Sequence, residues 1–427
     1  MQNSTISSDV PTLLKTFFEL LAAHRLAFNQ ERVFNRHCTL ATAMLFAFSR
    51  HTVTQLLLTL GVTDADWSAW YRIFSKERYD PVILEDCFFR ETLVHVTPDQ
   101  PYVVAMDGMQ VPRSSLKMPG TSWLKAPRTP AFRPGIHRAQ RFLHGAWLTP
   151  LEDGFSRAIP LRFIPAFPAK AVPACEPPLR EWEAGGKFLA WLREELNACG
   201  REQQPVLALG DGNYDVLDLW RDLPSQVVMA VRTARNRRLY ELPPAYAGRG
   251  RPAEYGPLAP HPAEWLQQRN GWHTRVIRVR GRSREMKYRV EGPFLREGLS
   301  ERPLFLIVVR GIDRWEGKRK RRRVRRDPCF YLVSAVERNG IWVLPFPVEM
   351  LLAWLWQRWE IEVAHREMKS GLGVGEMQCW NPARPCVRCN GAYGFMACCS
   401  CRGIAPGACR VVRRAPPAGS ERRSAGP

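Results

Sequence analysis

The chain has 427 residues, and its 45% hydrophobic content is enough to bury the cores of two or three globular domains. Its 62 Lys and Arg residues against 41 Asp and Glu give a formal net charge of +21, which favours a polyanionic partner such as nucleic acid. No apolar run approaches the roughly 20 residues that span a bilayer, and the start lacks a secretory pattern, so we expect a cytoplasmic protein with no membrane partner.

Residues 1–98 are predicted to form a helical N-terminal domain. Apolar side chains recur at a helical period from Leu13 to Leu21, and another apolar run leads into Gly61, a typical helix end. Short helices of this kind occur in DNA-binding domains of the helix-turn-helix type, but also in many other proteins. Binding of DNA ends and a purely structural role therefore both remain open for this domain.

Residues 99–235 are predicted to form the first part of an α/β core. Two short apolar strands in this region run directly into an acid, the first into Asp107 and the fourth into Asp211. Parallel strands joined by helices place functional groups at their carboxyl ends. This order is typical of a ribonuclease H-like catalytic core. The other predicted elements are strands at 141–149, 157–165 and 226–231 and helices at 182–196 and 214–220.

Residues 236–345 are predicted to form a β-rich inserted domain. It contains a basic run from Lys318 to Arg326, with eight cations in nine positions, which we expect to be a solvated loop that contacts DNA phosphates in a salt-dependent way. The predicted phosphate-binding residues of this run are Lys318, Arg319, Lys320, Arg321, Arg322 and Arg323. The predicted strands of the insertion are 274–280, 286–290, 304–310 and 330–334.

Residues 346–382 are predicted to contain the catalytic helix of the core, with one continuous helix at 348–369. Phosphodiester bonds are cut efficiently when two divalent metal ions hold the attacking and leaving oxygens, and carboxylates are the ligands that such hard ions prefer. Asp107 and Asp211 supply two carboxylates, so a third acid is expected from this helix.

Helix geometry selects that third acid from Glu360, Glu362 and Glu367. At 3.6 residues per turn, Glu362 shares one polar face with the cations and the histidine of the segment, whereas its two rivals do not. Asp107, Asp211 and Glu362 are therefore the predicted catalytic and metal-binding residues. The predicted phosphate-binding residues on the same helix face are Arg358, His365 and Lys369.

The segment from Leu355 to Lys369 resembles the Tyr-Arg-Glu-Lys signature of cut-and-paste DDE transposases from bacterial insertion sequences. Arg358, Glu362 and Lys369 match its spacing, while Leu355 stands where the family usually has Tyr. The sequences around Asp107 and Asp211 are similar to the two Asp motifs of those enzymes.

The resemblance covers roughly residues 50–382. It implies a ribonuclease H-like domain with a β insertion, and two Mg²⁺ ions that Mn²⁺ can replace. It also implies double-stranded DNA partners, namely the terminal inverted repeats of the element and the target DNA. A homodimer in the synaptic complex and association with the nucleoid when DNA is bound are further expectations.

Two other acids, Asp215 and Asp218, compete with Asp211 for the second catalytic position. Both fall within the short helix predicted at 214–220, where they are expected to be solvated or to cap its N-terminus.

Residues 383–427 form a tail of aberrant composition, rich in Cys, Arg and Pro. One interpretation is a zinc site that starts at Cys386 and Cys389 and is completed by Cys398, Cys399 or Cys401. The other, which we favour, is a shift of reading frame after about Pro382, since the change of composition is abrupt.

These observations leave three hypotheses about function. The leading one is a DNA transposase that cleaves and joins strands with metal ions. An inactive, transposase-derived DNA-binding protein with a frameshifted C-terminus is the alternative. A structure-selective nuclease with the same core is the third.

Overall fold

The computed structural model describes residues 12–376 except residues 65, 76–77, 115–117, 119, 127–128, 130–131, 134, 172–176, 247, 249, 312, 317–321 and 326. The zinc-site and frameshift interpretations of residues 383–427 fall outside this part of the chain, as do Lys318, Arg319, Lys320 and Arg321 of the basic run. No helix within the described part is both long and apolar enough to cross a bilayer.

The elements of the described residues between Thr12 and Leu93 are helices, in agreement with the helical pattern of this region. Two of these helices begin with a side-chain cap: Thr52 accepts a hydrogen bond from the backbone of Gln55, and Asp80 accepts from those of Val82 and Ile83. The five helices are α1 (Thr12–Ala23), α2 (Glu31–Phe46), α3 (Val53–Thr59), α4 (Trp67–Ser75) and α5 (Pro81–Leu93).

A large mixed sheet forms the centre of the molecule, as expected of an α/β protein. Its strands are β1 (Tyr102–Pro112), β2 (Thr121–Lys125), β3 (Ile136–Leu148), β4 (Ala158–Pro165), β5 (Val206–Gly210), β6 (Val227–Arg232), β7 (His273–Val279), β8 (Arg282–Arg296), β9 (Leu299–Val309) and β12 (Cys329–Ser334). The order across the sheet is β2-β3-β1-β5-β6-β12-β9-β8-β7, and β4 also pairs with β3. Only β1, β5 and β6 are parallel neighbours, and they lie in its middle.

Helices cover this sheet and carry side chains toward the ends of its central strands. They are α6 (Glu181–Ala198), which connects β4 to β5, α7 (Leu217–Arg221), α8 (Val348–Gln357) and α9 (Glu360–Gly371). The N-terminal helices share the same core, because the Thr92 hydroxyl at the end of α5 lies 2.6 Å from that of Tyr102 on β1. Every residue of β5 is buried, as is typical of a central parallel strand.

The prediction that the first strand ends at Asp107 is wrong. β1 continues to Pro112, and Asp107 pairs with His144 of the antiparallel strand β3. The parallel ladder with β5 reaches only Ala105 and Leu209, so beyond that point β3 alone supplies the backbone partners of β1. Asp107 therefore lies just past the end of the parallel ladder, but within a strand and not in a turn.

The predicted insertion at 236–345 is indeed mainly β, but its strands extend the central sheet. β12 pairs with β6 through Tyr331 and Arg232 and with β9 on its other edge, which makes the sheet continuous into β8 and β7. The division of the chain into domains stays a prediction.

Two small hairpins lie outside the sheet, β10 (Asp313–Glu316) with β11 (Arg322–Arg325) and β13 (Val336–Arg338) with β14 (Ile341–Val343). The basic run is therefore not entirely a loop, since Arg322 and Arg323 belong to the backbone of β11.

The prediction of one continuous helix at 348–369 is also wrong. The segment forms α8 and α9, which are separated by a turn at Arg358 and Trp359. In this turn the backbone N–H groups of Ile361 and Glu362 donate to carbonyls only three residues back, at 3.2 and 3.0 Å, which tightens the chain locally.

Asp215 is a buried ion-pair centre, contrary to the expectation of a solvated or capping residue. It is 5% exposed and precedes α7. Its carboxylate accepts hydrogen bonds from Thr233 at 2.6 Å and Trp220 at 3.1 Å, and it pairs with Arg237 at 2.5 Å and Arg296 at 2.9 Å. These contacts fix the loop that follows β5 against β6 and β8.

We expect Asp215→Asn to lower the free energy of unfolding by about 3 kcal/mol, because two partly buried guanidinium groups would lose their counter-charge. Asp218→Asn is the matched control, since Asp218 forms only an exposed pair with Arg221 and should change stability by less than about 1 kcal/mol. Urea unfolding of both variants measures the difference. Equal losses would show that the cluster around Asp215 does not hold this loop.

Candidate active site

Four carboxylates from four different elements interact at the end of the central parallel strands. Asp107 lies on β1 with its side chain 19% exposed, and its pKa is raised from 3.8 to about 7. Burial is the main cause, and the negative charges of Asp211, Glu362 and Glu181 add to it, while the nearby Arg358 opposes it. Asp211 follows β5, Glu362 lies in the first turn of α9, and Glu181 lies in the first turn of α6.

Asp211 and Glu362 thus both lie close enough to Asp107 to raise its pKa, whereas the two rival acids on α9 are engaged elsewhere. Glu360 is buried against Arg280, and Glu367 pairs at 3.2 Å with Arg157 on the protein surface. Glu362 is the acid of this helix that raises the pKa of Asp107.

Asp211 is held by the turn in which it lies. Its side chain accepts a hydrogen bond of 2.8 Å from the backbone N–H of Asn213, which starts a single 3₁₀ turn at Gly212–Tyr214. The buried Asp215 cluster fixes the other end of the same loop. The Asp211 carboxylate therefore stands on a loop that is anchored on both sides.

Of the cations predicted to bind phosphate, Arg358 lies beside the carboxylates and Lys369 lies near His365. Arg358 donates to Glu362 at 3.0 Å with its side chain 20% exposed, and its charge opposes the upward shift of the Asp107 pKa. Lys369 is close enough to His365 to lower the pKa of that ring. The guanidinium of Arg358, which was predicted to bind phosphate, therefore binds the carboxylate of Glu362 in this structure.

His365 faces inward, toward Asp107 and a second histidine that the sequence did not single out. Its Nδ1 lies 3.7 Å from Oδ2 of Asp107, and its Nε2 lies 2.8 Å from Nδ1 of His144 on β3. Burial, together with the charges of Lys369 and Arg358, lowers the pKa of His365 to about 3. Any contact of His365 with phosphate would therefore be made at neutral pH by an uncharged ring.

Glu181 is the acid that the sequence analysis missed. It is 9% exposed, its Oε2 lies 3.6 Å from Nε of Arg141, and burial is the main cause of its raised pKa. Its side chain lies directly over Gly108, where an added Cβ would stand 2.3 Å from Oε2. The available signal was its position at the start of the helix before the second Asp strand, but the predicted helix began one residue later.

The donor set suits a hard divalent cation, because it consists of carboxylate oxygens crowded into a partly desolvated place. The raised pKa of Asp107 reflects burial first, and then the negative charge of the neighbouring carboxylates, which Arg358 opposes. Within the described residues, no three His, Cys, Asp or Glu side chains already surround a common point as metal ligands. The residue types of the site thus suit a divalent metal ion, because they are carboxylates. Their side chains are not arranged as a complete coordination shell.

The family of the chain follows from a comparison with known protein families. The model of the family described as "DDE superfamily endonuclease" matches residues 31–289. The chain belongs to this family. The match includes Asp107 and Asp211 but ends before Glu362, so the assignment of the third acid rests on the helix face and on its approach to Asp107. A search of curated proteins found no match.

We expect Asp107→Asn to stabilise the metal-free chain at alkaline pH. Because the folded state raises the pKa of Asp107 from 3.8 to about 7, the protonated carboxyl favours folding below pH 4, and this contribution is lost as the pH rises to 7. The gain in unfolding free energy from the substitution should be greater at pH 8 than at pH 5 by on the order of 2 kcal/mol.

Urea unfolding in chelator at the two pH values measures this difference, with Asp218→Asn as the control at an exposed aspartate. A gain from Asp107→Asn that is the same at both pH values would contradict the raised pKa of Asp107, and with it the burial and the neighbouring carboxylates that cause it.

Proposed function

We propose that this DDE endonuclease is a DNA transposase with a ribonuclease H-like catalytic core, which cleaves the ends of an insertion sequence and joins them to target DNA. Asp107, Asp211 and Glu362 are its catalytic carboxylates. The observation that carries the proposal is the interaction of all three at Asp107, although they come from a central strand, a loop and a distant helix.

Membership of the DDE endonuclease family supports this reading of the three acids. In support, Asp107 lies on β1 just past its parallel ladder with β5, and Asp211 directly follows β5, near the carboxyl end of the parallel strands where functional groups of such sheets collect. Family membership alone does not specify which DNA is cut, so the ends of an insertion sequence belong to the proposal.

Asp107, Asp211 and Glu362 would hold the divalent cations, Mg²⁺ in our proposal, with Mn²⁺ as a substitute. When bound, two such ions activate a water or a 3′ hydroxyl and stabilise the leaving oxygen of the phosphodiester.

The other residues of the site orient these carboxylates and the DNA. Arg358 keeps Glu362 turned toward the site through its hydrogen bond and places a positive charge where the phosphate of the cut strand would lie. Lys369, two turns further along α9, extends this positive face. His365 limits the movement of Asp107, and His144 holds His365 from behind while stacking flat on Phe163 at 4.4 Å.

DNA is the expected partner because the chain carries a formal net charge of +21. In this proposal the basic run from Lys318 to Arg326 contacts the DNA backbone, a contact that weakens as salt concentration increases. Terminal inverted repeats bring two ends of the element together, so we propose a homodimer as the synaptic form.

Cleavage of a labelled DNA duplex that carries the flanking inverted repeats tests the proposal. Asp107→Ala, Asp211→Ala and Glu362→Gln should each reduce metal-dependent cleavage by about three orders of magnitude, or about 4 kcal/mol of transition-state stabilisation, without loss of DNA binding. Glu367→Gln is the matched control, because Glu367 lies on the same helix and pairs with Arg157 instead.

Undiminished cleavage by the three acid variants would end the proposal. Binding without any cleavage by the unsubstituted chain, in Mg²⁺ and in Mn²⁺, would instead identify an inactive DNA-binding descendant of a transposase. Equal cleavage of duplexes with and without the repeats would point to a nuclease that does not recognise element ends.

A further inference from the structure

We propose that Glu181 is a fourth ligand carboxylate of this centre and holds a divalent cation together with Asp107 and Asp211. This inference rests on the proposed function, because it concerns the same site. It adds a residue from α6, whereas the three acids predicted from the sequence lie on other elements.

The first argument is burial without adequate pairing. Glu181 is 9% exposed, and its Oε1 receives no hydrogen bond from any described residue. Arg141 approaches only Oε2, at 3.6 Å, and the Arg141 side chain is 40% exposed. An ionised carboxylate in such a position is costly unless a cation or further donors complete its surroundings.

The second argument is that the neighbouring polar groups do not complete those surroundings. Hydrogen bonding by Tyr214 and Asn213 lowers the pKa of Glu181, but Oε1 of Glu181 has no hydrogen bond of normal geometry from any described residue. The Tyr214 hydroxyl is itself buried, and burial together with the charge of Glu181 raises its pKa. Burial thus outweighs the donors around Glu181, so its carboxylate lacks a full set of partners.

The third argument is the direction in which α6 presents Glu181. Gly185, one turn further along the helix, lets α6 approach the sheet closely, since an added Cβ there would lie 3.1 Å from the ring of Tyr214 and 3.6 Å from Sδ of Met106. Gly108, the residue after Asp107, leaves the space that the Glu181 carboxylate occupies. Two glycines therefore let α6 bring the carboxylate of Glu181 against β1 at Gly108, the residue after Asp107.

The charges of the site agree with this placement. Asp211 raises the pKa of Glu181, and Glu181 in turn raises the pKa of Asp107. A divalent cation between these oxygens would offset the repulsion of all three, whereas Arg141, 40% exposed, comes no nearer than 3.6 Å to Glu181.

Binding of Mn²⁺, followed by the electron paramagnetic resonance signal of the free ion, tests the proposal without any dependence on DNA cleavage. We expect Glu181→Gln, which keeps the shape of the side chain, to raise the dissociation constant for Mn²⁺ at least about tenfold. Glu194→Gln is the matched control, because Glu194 lies on the exposed face of the same helix and should leave Mn²⁺ affinity unchanged.

Gly108→Ala provides a second, independent variant that keeps every charge. The new methyl group would displace the Glu181 carboxylate, so this variant should weaken Mn²⁺ binding about as much as Glu181→Gln. The double variant should be no weaker than either single variant, because both remove the same ligand. If Glu181→Gln fails to fold, Gly108→Ala decides the question by itself.

Asp211→Asn separates failure of this inference from failure of the proposed function. If Asp211→Asn loses Mn²⁺ while Glu181→Gln stays within about twofold of the unsubstituted chain, Glu181 is not a ligand and the proposed function stands. Weak binding by Glu181→Gln with normal binding by Gly108→Ala would also overturn the inference, since charge alone would then explain the loss. If neither acid variant changes Mn²⁺ binding, both the inference and the metal centre of the proposed function fall.

Discussion

The concentration of negative charge around Asp107 is the constraint on which this site depends. Three further carboxylates stand close enough to raise the pKa of a side chain that burial already disfavours in its ionised form. Carboxylates repel one another, so the rest of the fold must hold them together. Holding repelling carboxylates together lowers the stability of the folded chain. Such an arrangement is typical of a site that binds a charged ligand.

Contacts from several elements of the fold hold these carboxylates in position against their mutual repulsion. The ladder between β1 and β3 fixes Asp107 opposite His144, and this histidine supports His365, which lies against the Asp107 carboxylate. The buried ion pairs of Asp215 anchor the loop that carries Asp211. On the far side, Arg280 between β7 and β8 pairs with Glu360 and so ties α9 to the extended part of the sheet. The strands of the predicted insertion therefore also help to hold α9 in place.

Most strands, and the three acids that we propose as catalytic, could be predicted from the sequence because these signals are local. Apolar runs that lead into Asp107 and Asp211 mark the central strands, and helix geometry separates Glu362 from Glu360. What was missed depends on contacts between distant residues. The continuation of β1 past Asp107 requires β3 as a partner, the buried role of Asp215 requires Arg296 from β8, and the approach of Glu181 requires glycines on two elements. None of these can be read from a single stretch of chain.

The most direct test of the account is a crystal structure of the unsubstituted chain grown with Mn²⁺, with the ion located by its anomalous scattering. The account predicts an anomalous peak within coordination distance of the Asp107 carboxylate, with Asp211 among its ligands. A structure at saturating Mn²⁺ in which Asp107 has no metal neighbour, or in which Asp211 and Glu362 lie far from it, would contradict the account.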